Sequence, residues 1–227
     1  MTANKNNLIC CMLTMLSLIW GELGYAKPAP PFEFKGTPTT YSVAGVSIPI
    51  YPQAQITLPD GRLVDLCFSG KGLRQKRIGI IKVNAYVGIH YLENPAVLSI
   101  EDPMNSLSQT QYRMMVLQMM QNVNPEDIRA EFDDAMDANG VNLNSPELNA
   151  LRKEITFSLK SGERAYFIGY RNPNDSFENL MIFTETKLIN ERGSTLVTDI
   201  WSGWFGIPVD REMAVFKKSL LSQAKKN

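Results

Sequence analysis

Residues 69–95, SGKGLRQKRIGIIKVNAYVGIHYLENP, decide how this chain is read. The run from Ile78 to Tyr91 is apolar and rich in β-branched and aromatic residues, which predicts a central strand. Gly70 and Gly72 ahead of it predict a tight corner between two strands, because glycine takes backbone conformations closed to other residues. Arg74 follows that corner. An arginine so placed can be held over a pocket mouth, where its planar fork pairs with a carboxylate or stabilises an oxyanion. The plainer reading is a solvated arginine at a strand end.

Working outward, Val43–Ile50 and Gln53–Leu58 are short β-prone runs split by Pro49 and Pro52, which suits edge pairing. Pro59-Asp60-Gly61 predicts the turn of a hairpin joining Ile56–Leu58 to Arg62–Ser69. Gln111–Gln121, with four methionines, predicts a further strand. Asn124-Pro125-Glu126-Asp127 is a helix start: a capping side chain, proline in the first turn, then acids at the positive helix end. Ile128, Phe132, Ala135 and Met136 form its apolar stripe, closed by Asn139-Gly140. Ser145-Pro146-Glu147 opens a second helix, whose stripe Leu148, Leu151, Ile155 and Leu159 runs to Ser161-Gly162. Strands are expected at Arg164–Tyr170 and Asn179–Ile189, and helices from Leu196 to Trp204 and from Asp210 through Leu220 to the basic Lys225-Lys226. This order predicts an α+β fold with a large, mostly antiparallel sheet.

The chain carries 23 Lys and Arg against 23 Asp and Glu, with 44% hydrophobic residues. That balance argues against a nucleic-acid binder, and the apolar content against a disordered chain. One histidine, His90, excludes a multi-His metal site. Residues 1–26 read as a secretory signal: Lys5, an apolar run from Leu8 to Trp20, then small residues at Gly24 and Ala26. The run is too short for a spanning helix, so no stable membrane span is expected after cleavage. The location implied is periplasmic or secreted. Cleavage after Ala26 leaves Cys67 as the sole cysteine, without a disulfide partner. Residues 27–40 are a Pro-rich extended lead-in, and 41–227 a single domain.

No Gly-rich phosphate loop, G-x-S-x-G elbow or CxxC is present, and no cofactor is indicated. The acids of 126–137 lie mostly off the apolar stripe, as on a solvated helix face. His90, between Ile89 and Tyr91, reads as a packed or hydrogen-bonded structural residue.

The 69–95 stretch resembles the chalcone isomerase-like family, whose pattern is G-x-G-[LV]-R followed by a strand ending like V-Y-x-x-G-L-Y-L. Ile200-Trp201 with Gly203 or Gly206, then Pro208-Val209-Asp210 and Leu220-Leu221, resembles its closing I-W-x-G-x-P-x-D and helix. Val123–Asp127 is similar to its usual helix start. The resemblance spans Ile56–Leu221 and, with an export signal, suits the bacterial exported branch. It implies an open-faced sandwich: a large antiparallel sheet packed by several helices. It makes Arg74 the counterpart of the arginine that holds the oxyanion in plant chalcone cyclisation. Tyr86 falls where those enzymes have threonine, and their helix-start tyrosine and following asparagine fall near Asn124 and Glu131. A glutamate there opposes an anionic phenolate. Other family members bind fatty acids without catalysis, using an apolar tunnel with Arg and Tyr on the carboxylate.

The expectation is therefore an exported binder of a fatty acid or similar lipophilic carboxylate, anchored by Arg74 and Tyr86, with Tyr112, Asn124 and Glu131 as further candidates. Met114, Met115, Met119 and Met120 could line the apolar part or be ordinary core. The alternatives are an isomerase or lyase acting on an enone-like ligand, with Arg74 stabilising an enolate and Tyr86 as acid, and a scaffold with a vestigial pocket. No protein partner is indicated.

Overall fold

A computed structural model describes residues 29–172 and 175–224. The expected leader and Lys225-Lys226 lie outside the described residues. Among the described residues the chain forms ten strands and five α-helices, six of the strands coming first. The strands are β1 (Phe32–Lys35), β2 (Thr39–Val43), β3 (Val46–Ile50), β4 (Gln53–Thr57), β5 (Leu63–Ile78), β6 (Ile81–Leu92), β7 (Tyr112–Met119), β8 (Arg164–Arg171), β9 (Glu178–Phe183) and β10 (Leu188–Gly193). The helices are α1 (Pro103–Ser108), α2 (Pro125–Asp137), α3 (Pro146–Glu154), α4 (Leu196–Phe205) and α5 (Arg211–Leu220). Eight strands form one antiparallel sheet in the order β1-β4-β5-β6-β7-β8-β9-β10, and β2–β3 is a separate hairpin. The chain is α+β, as its pattern requires.

The sheet is curled. Phe32 on β1 lies 4.3 Å, centroid to centroid, from Tyr166 on β8 and 5.8 Å from Phe183 on β9. In a flat sheet β1 and β8 would stand roughly 24 Å apart, five strand spacings. Alternation along each strand divides the core between two faces. Val87, Ile89 and Tyr91 of β6 and Met114 and Val116 of β7 turn to the inner face beneath β2–β3, while Tyr86, Met115, Leu117 and Met119 turn to the helices.

Four local expectations change. Gly70 and Gly72 lie inside the 16-residue β5, and the turn comes later, at Gly79-Ile80, where Gly79 has φ 61°. These two glycines serve packing: a Cβ on Gly70 would come 1.8 Å from the Leu220 carbonyl oxygen, and one on Gly72 would come 3.0 Å from Phe216. Across the ladder from Gly72, a Cβ on Gly88 would meet the Phe216 ring at 2.5 Å. Together they make a flat seat for α5. The helix begun at Pro146 stops at Glu154, because Leu159 pairs instead with Val123 in an antiparallel bridge. Asn179–Ile189 divides into β9 and β10 around a turn in which Thr184 N–H donates to Lys187 O. The lead-in contributes β1, paired with β4.

The proline signals hold only in part: β4, expected at an edge, is paired on both sides, by β1 and β5. Pro49 sits in the two-stranded β2–β3 hairpin, where a missing N–H is tolerated. Asn124, Ser145 and Asp210 each accept a backbone N–H three residues on, starting α2, α3 and α5.

Replacing Gly70 with alanine should cost about 2 kcal/mol, since the obstacle is helix backbone that cannot swing aside. Gly72→Ala should cost less, because its neighbours there include side-chain atoms at 3.0 Å. Urea unfolding of the two variants checks the order.

Candidate functional site

The site lies between the sheet and α2. The apolar stripe of α2 (Ile128, Phe132, Ala135, Met136) faces Tyr86 of β6, Leu117 and Met119 of β7 and Phe167 of β8 across a cleft of about 370 Å³. Ile200, Gly203 and Trp204 of α4 close its inner wall. Phe132, Phe167 and Trp204 meet there with rings 5.3–6.4 Å apart, both phenylalanines edge-on to Trp204 and tilted to each other. Lys76, Ile78, Asp127 and Glu131 stand among its boundary residues.

Arg74 sits beside the polar end and is only 2% exposed. Its two terminal nitrogens donate to the two Asp210 carboxylate oxygens, each at 2.8 Å, and one also donates to the Gln75 carbonyl at 2.6 Å. Burial alone would disfavour the guanidinium charge; the Asp210 carboxylate more than offsets it and holds Arg74 charged. Asp210 shows the mirror effect. Burial would raise its pKa, but the Arg74 bonds and the Met213 N–H lower it on balance. The third nitrogen, Arg74 Nε, has no hydrogen-bond partner and lies 3.8 Å from Glu131 Oε1, which also accepts no hydrogen bond. The other Glu131 oxygen pairs with Lys76 Nζ at 2.8 Å.

Tyr86 lines the cleft, with its ring edge-on to Phe216 at 5.5 Å. Burial first, then the Glu131 charge, pushes its phenol pKa far up against the opposing pull of Arg74. Tyr86 therefore stays a neutral hydroxyl.

Of the residues singled out in the sequence, Arg74, Tyr86 and Glu131 come together. Asn124 caps α2, its Oδ1 accepting from Asp127 N at 2.8 Å. Tyr112 turns to the inner face, where its oxygen accepts from Arg62 at 3.4 Å. Of the four methionines only Met119 lines the cleft; Met115 is core on the helix side, and Met114 and Met120 belong to the other face. Cys67 is half-buried on β5. Sequence reasoning missed two groups. Asp210 reads as the start of the last helix within the closing motif, and Lys76 passes unremarked in the 69–95 stretch.

His90 has partners that spacing did not suggest. Its Nδ1 lies 2.8 Å from Ser69 Oγ, and its Nε2 accepts from the Trp201 indole N–H at 3.0 Å. With Nε2 an acceptor in a neutral ring, Nδ1 carries the proton and donates to Ser69, whose hydroxyl donates onward to the His90 carbonyl at 3.0 Å. The proton thus points the wrong way for His90 to activate Ser69, and His90 and Ser69 are 0% and 2% exposed. This triad pins β5 and β6 to α4. Among the described residues no group of His, Cys, Asp and Glu could hold a metal ion, and no helix is long and apolar enough to cross a membrane.

Comparison of the sequence with models of protein families gives no match, and neither does comparison with curated proteins.

Buried Arg74, held by the half-exposed Asp210, and buried His90 each make stability depend on a measurable change. Asp210→Ala strands Arg74 and removes the α5 cap, and should cost about 3 kcal/mol; Asp210→Asn, which keeps a capping oxygen, should cost less. Urea unfolding measures both. Burial also pushes the His90 pKa from 6.5 down to about 3. Between those values the unfolded chain binds the extra proton, so this contribution to stability is complete above pH 6.5 and is lost as the pH falls toward 3. The drop between pH 6.5 and about pH 5 should be about 2 kcal/mol, and should shrink in His90→Gln.

Proposed function

We propose that this chain is an exported binding protein for a fatty acid or similar lipophilic carboxylate, built on a chalcone isomerase-like open-faced sandwich. The observation that carries the reading is the cleft: about 370 Å³, walled by aromatic and aliphatic side chains, with charged groups gathered at one end. Small-molecule sites of about 300–1,000 Å³ have this make-up, an apolar body with a few convergent polar groups. The motif order in the sequence and the antiparallel sheet backed by helices support the fold reading, and the N-terminal leader pattern supports export.

The acyl chain lies between α2 and the sheet, against Phe132, Met119 and Phe167. Its carboxylate replaces that of Glu131, which already sits as an internal stand-in: it bonds Lys76 at 2.8 Å and faces Arg74 Nε at 3.8 Å. A ligand carboxylate there pairs with Lys76, accepts from Arg74 Nε and accepts from the neutral Tyr86 hydroxyl, while the half-buried Glu131 swings toward solvent. Arg74 keeps its terminal nitrogens on Asp210 and acts through its third nitrogen, Nε.

This mode predicts that Glu131→Gln, which removes a like charge from the carboxylate's place, tightens fatty-acid binding roughly tenfold, whereas Lys76→Ala weakens it by a similar factor. Native mass spectrometry with extraction of bound molecules, and displacement of a fluorescent fatty acid, measure these changes. A folded wild type that takes up no fatty acid of any chain length would falsify the reading. An unchanged affinity in Glu131→Gln would remove the exchange of carboxylates.

A further inference from the structure

The β5–β6 hairpin outruns the sheet. β4 pairs with β5 only from Leu63 to Cys67, and β7 pairs with β6 only from Tyr86 to Leu92. From Gln75 to Asn84 the two strands pair with each other alone, as an arm closed by Gly79-Ile80. Its tip is apolar and exposed: Ile78 is 65%, Ile80 98% and Ile81 63% accessible. Folding normally buries such side chains, and three together at the end of a projecting arm leave a wedge with no partner among the described residues. Behind the wedge stand Lys76, Arg77 and Lys82, with 39%, 55% and 44% of their side chains exposed. The hairpin contains no Asp or Glu from Leu66 to Leu92. Neighbouring elements supply Glu131 to Lys76 and Glu212 to Arg77 and Lys82, so the ion pairs of this collar join two carboxylates to three cations and leave one positive charge among them.

We infer that this hairpin tip docks the protein on an anionic lipid surface, with the isoleucines entering the acyl boundary and the collar meeting the headgroups. The pairing of apolar tip and cationic collar matches the two layers of such a surface, one apolar and one negative. Ile78 belongs both to the wedge and to the boundary of the cleft. Docking therefore sets the cleft mouth at the membrane, and transfer of a lipophilic ligand between the two, the one part that rests on the proposed function, needs no passage through water.

The test uses protein recovered from exporting cells and co-sedimentation with vesicles of phosphatidylcholine mixed with phosphatidylglycerol, or of phosphatidylcholine alone. The wild type should bind the anionic vesicles, less at high salt, and bind neutral ones weakly. Ile80→Asp, a change at a fully solvated turn that leaves urea stability unchanged, should lower anionic binding roughly tenfold or more. Its fatty-acid uptake in solution should equal the wild type's, so a failure of ligand binding is seen apart from a failure of docking. A folded wild type that ignores anionic vesicles overturns the inference, as does equal binding by Ile80→Asp. Self-association without vesicles that Ile80→Asp abolishes would assign the wedge to a second copy and overturn it too.

Discussion

A guanidinium with 2% exposure is costly to leave without a carboxylate, and the geometry of this molecule follows from how Arg74 finds one. Asp210 meets it with both oxygens while also capping α5 through Met213 N. One carboxylate therefore fixes where the last helix begins relative to the middle of β5. The glycine seat fixes the rest: Gly70 admits the Leu220 backbone, and Gly72 and Gly88 admit Phe216. With α5 so placed, Phe216 lies edge-on to Tyr86, and Tyr86 is held in the wall of the cleft.

A second set of buried polar contacts does for α4 what Arg74 does for α5. Trp201 donates to His90, His90 to Ser69, and Ser69 back to the His90 carbonyl, so every group in the chain is satisfied without a charge. Such a network fixes position more than it adds stability, because any member left unpaired in a dry core is costly. The α2 side is held differently. Asn139 bonds the Ile207 backbone at its C-terminal end, and toward the mouth the ties are side-chain contacts such as Lys76–Glu131 and Arg129 to the Ile155 carbonyl. Ion pairs with partial solvent exposure are worth little and exchange readily.

The sequence makes the elements legible and the long-range pairings much less so. Helix starts at Asn124, Ser145 and Asp210 could be read because a cap and its helix lie within four residues. The hairpin at Pro59-Asp60-Gly61 could be read for the same reason. The role of Gly70 and Gly72 could not: glycine in a strand signals either a bend or a close neighbour, and the neighbour here, α5, lies over a hundred residues away. The Arg74–Asp210 pair spans 136 residues, and no local pattern says which of many acids an arginine will meet. The helix continued to Leu159 failed because its apolar spacing fits a strand-like segment as well once Val123 offers a partner. Likewise, the site residues that converge are those placed by alternation on one strand face or by the α2 stripe, whereas Tyr112 falls on the opposite face.

The position of the cleft follows from side-chain size. Where helices lie close on the sheet, the sheet offers glycine: Gly70, Gly72 and Gly88 beneath α5, and Gly169, whose Cβ would come 2.3 Å from Val197, beneath α4. Opposite α2 it offers Tyr86, Leu117, Met119 and Phe167 instead. Full-sized side chains on both surfaces hold the layers apart, and helix and sheet surfaces that do not interlock leave space between them. Closer approach at the other end of α2 comes through the small pair Ala135 and Gly203. The helix is thus drawn in against α4 and propped away from the sheet, with Glu131 and Lys76 at the boundary of the gap. Side-chain size thus accounts for the cleft, and the Lys76–Glu131 ion pair stands at its rim.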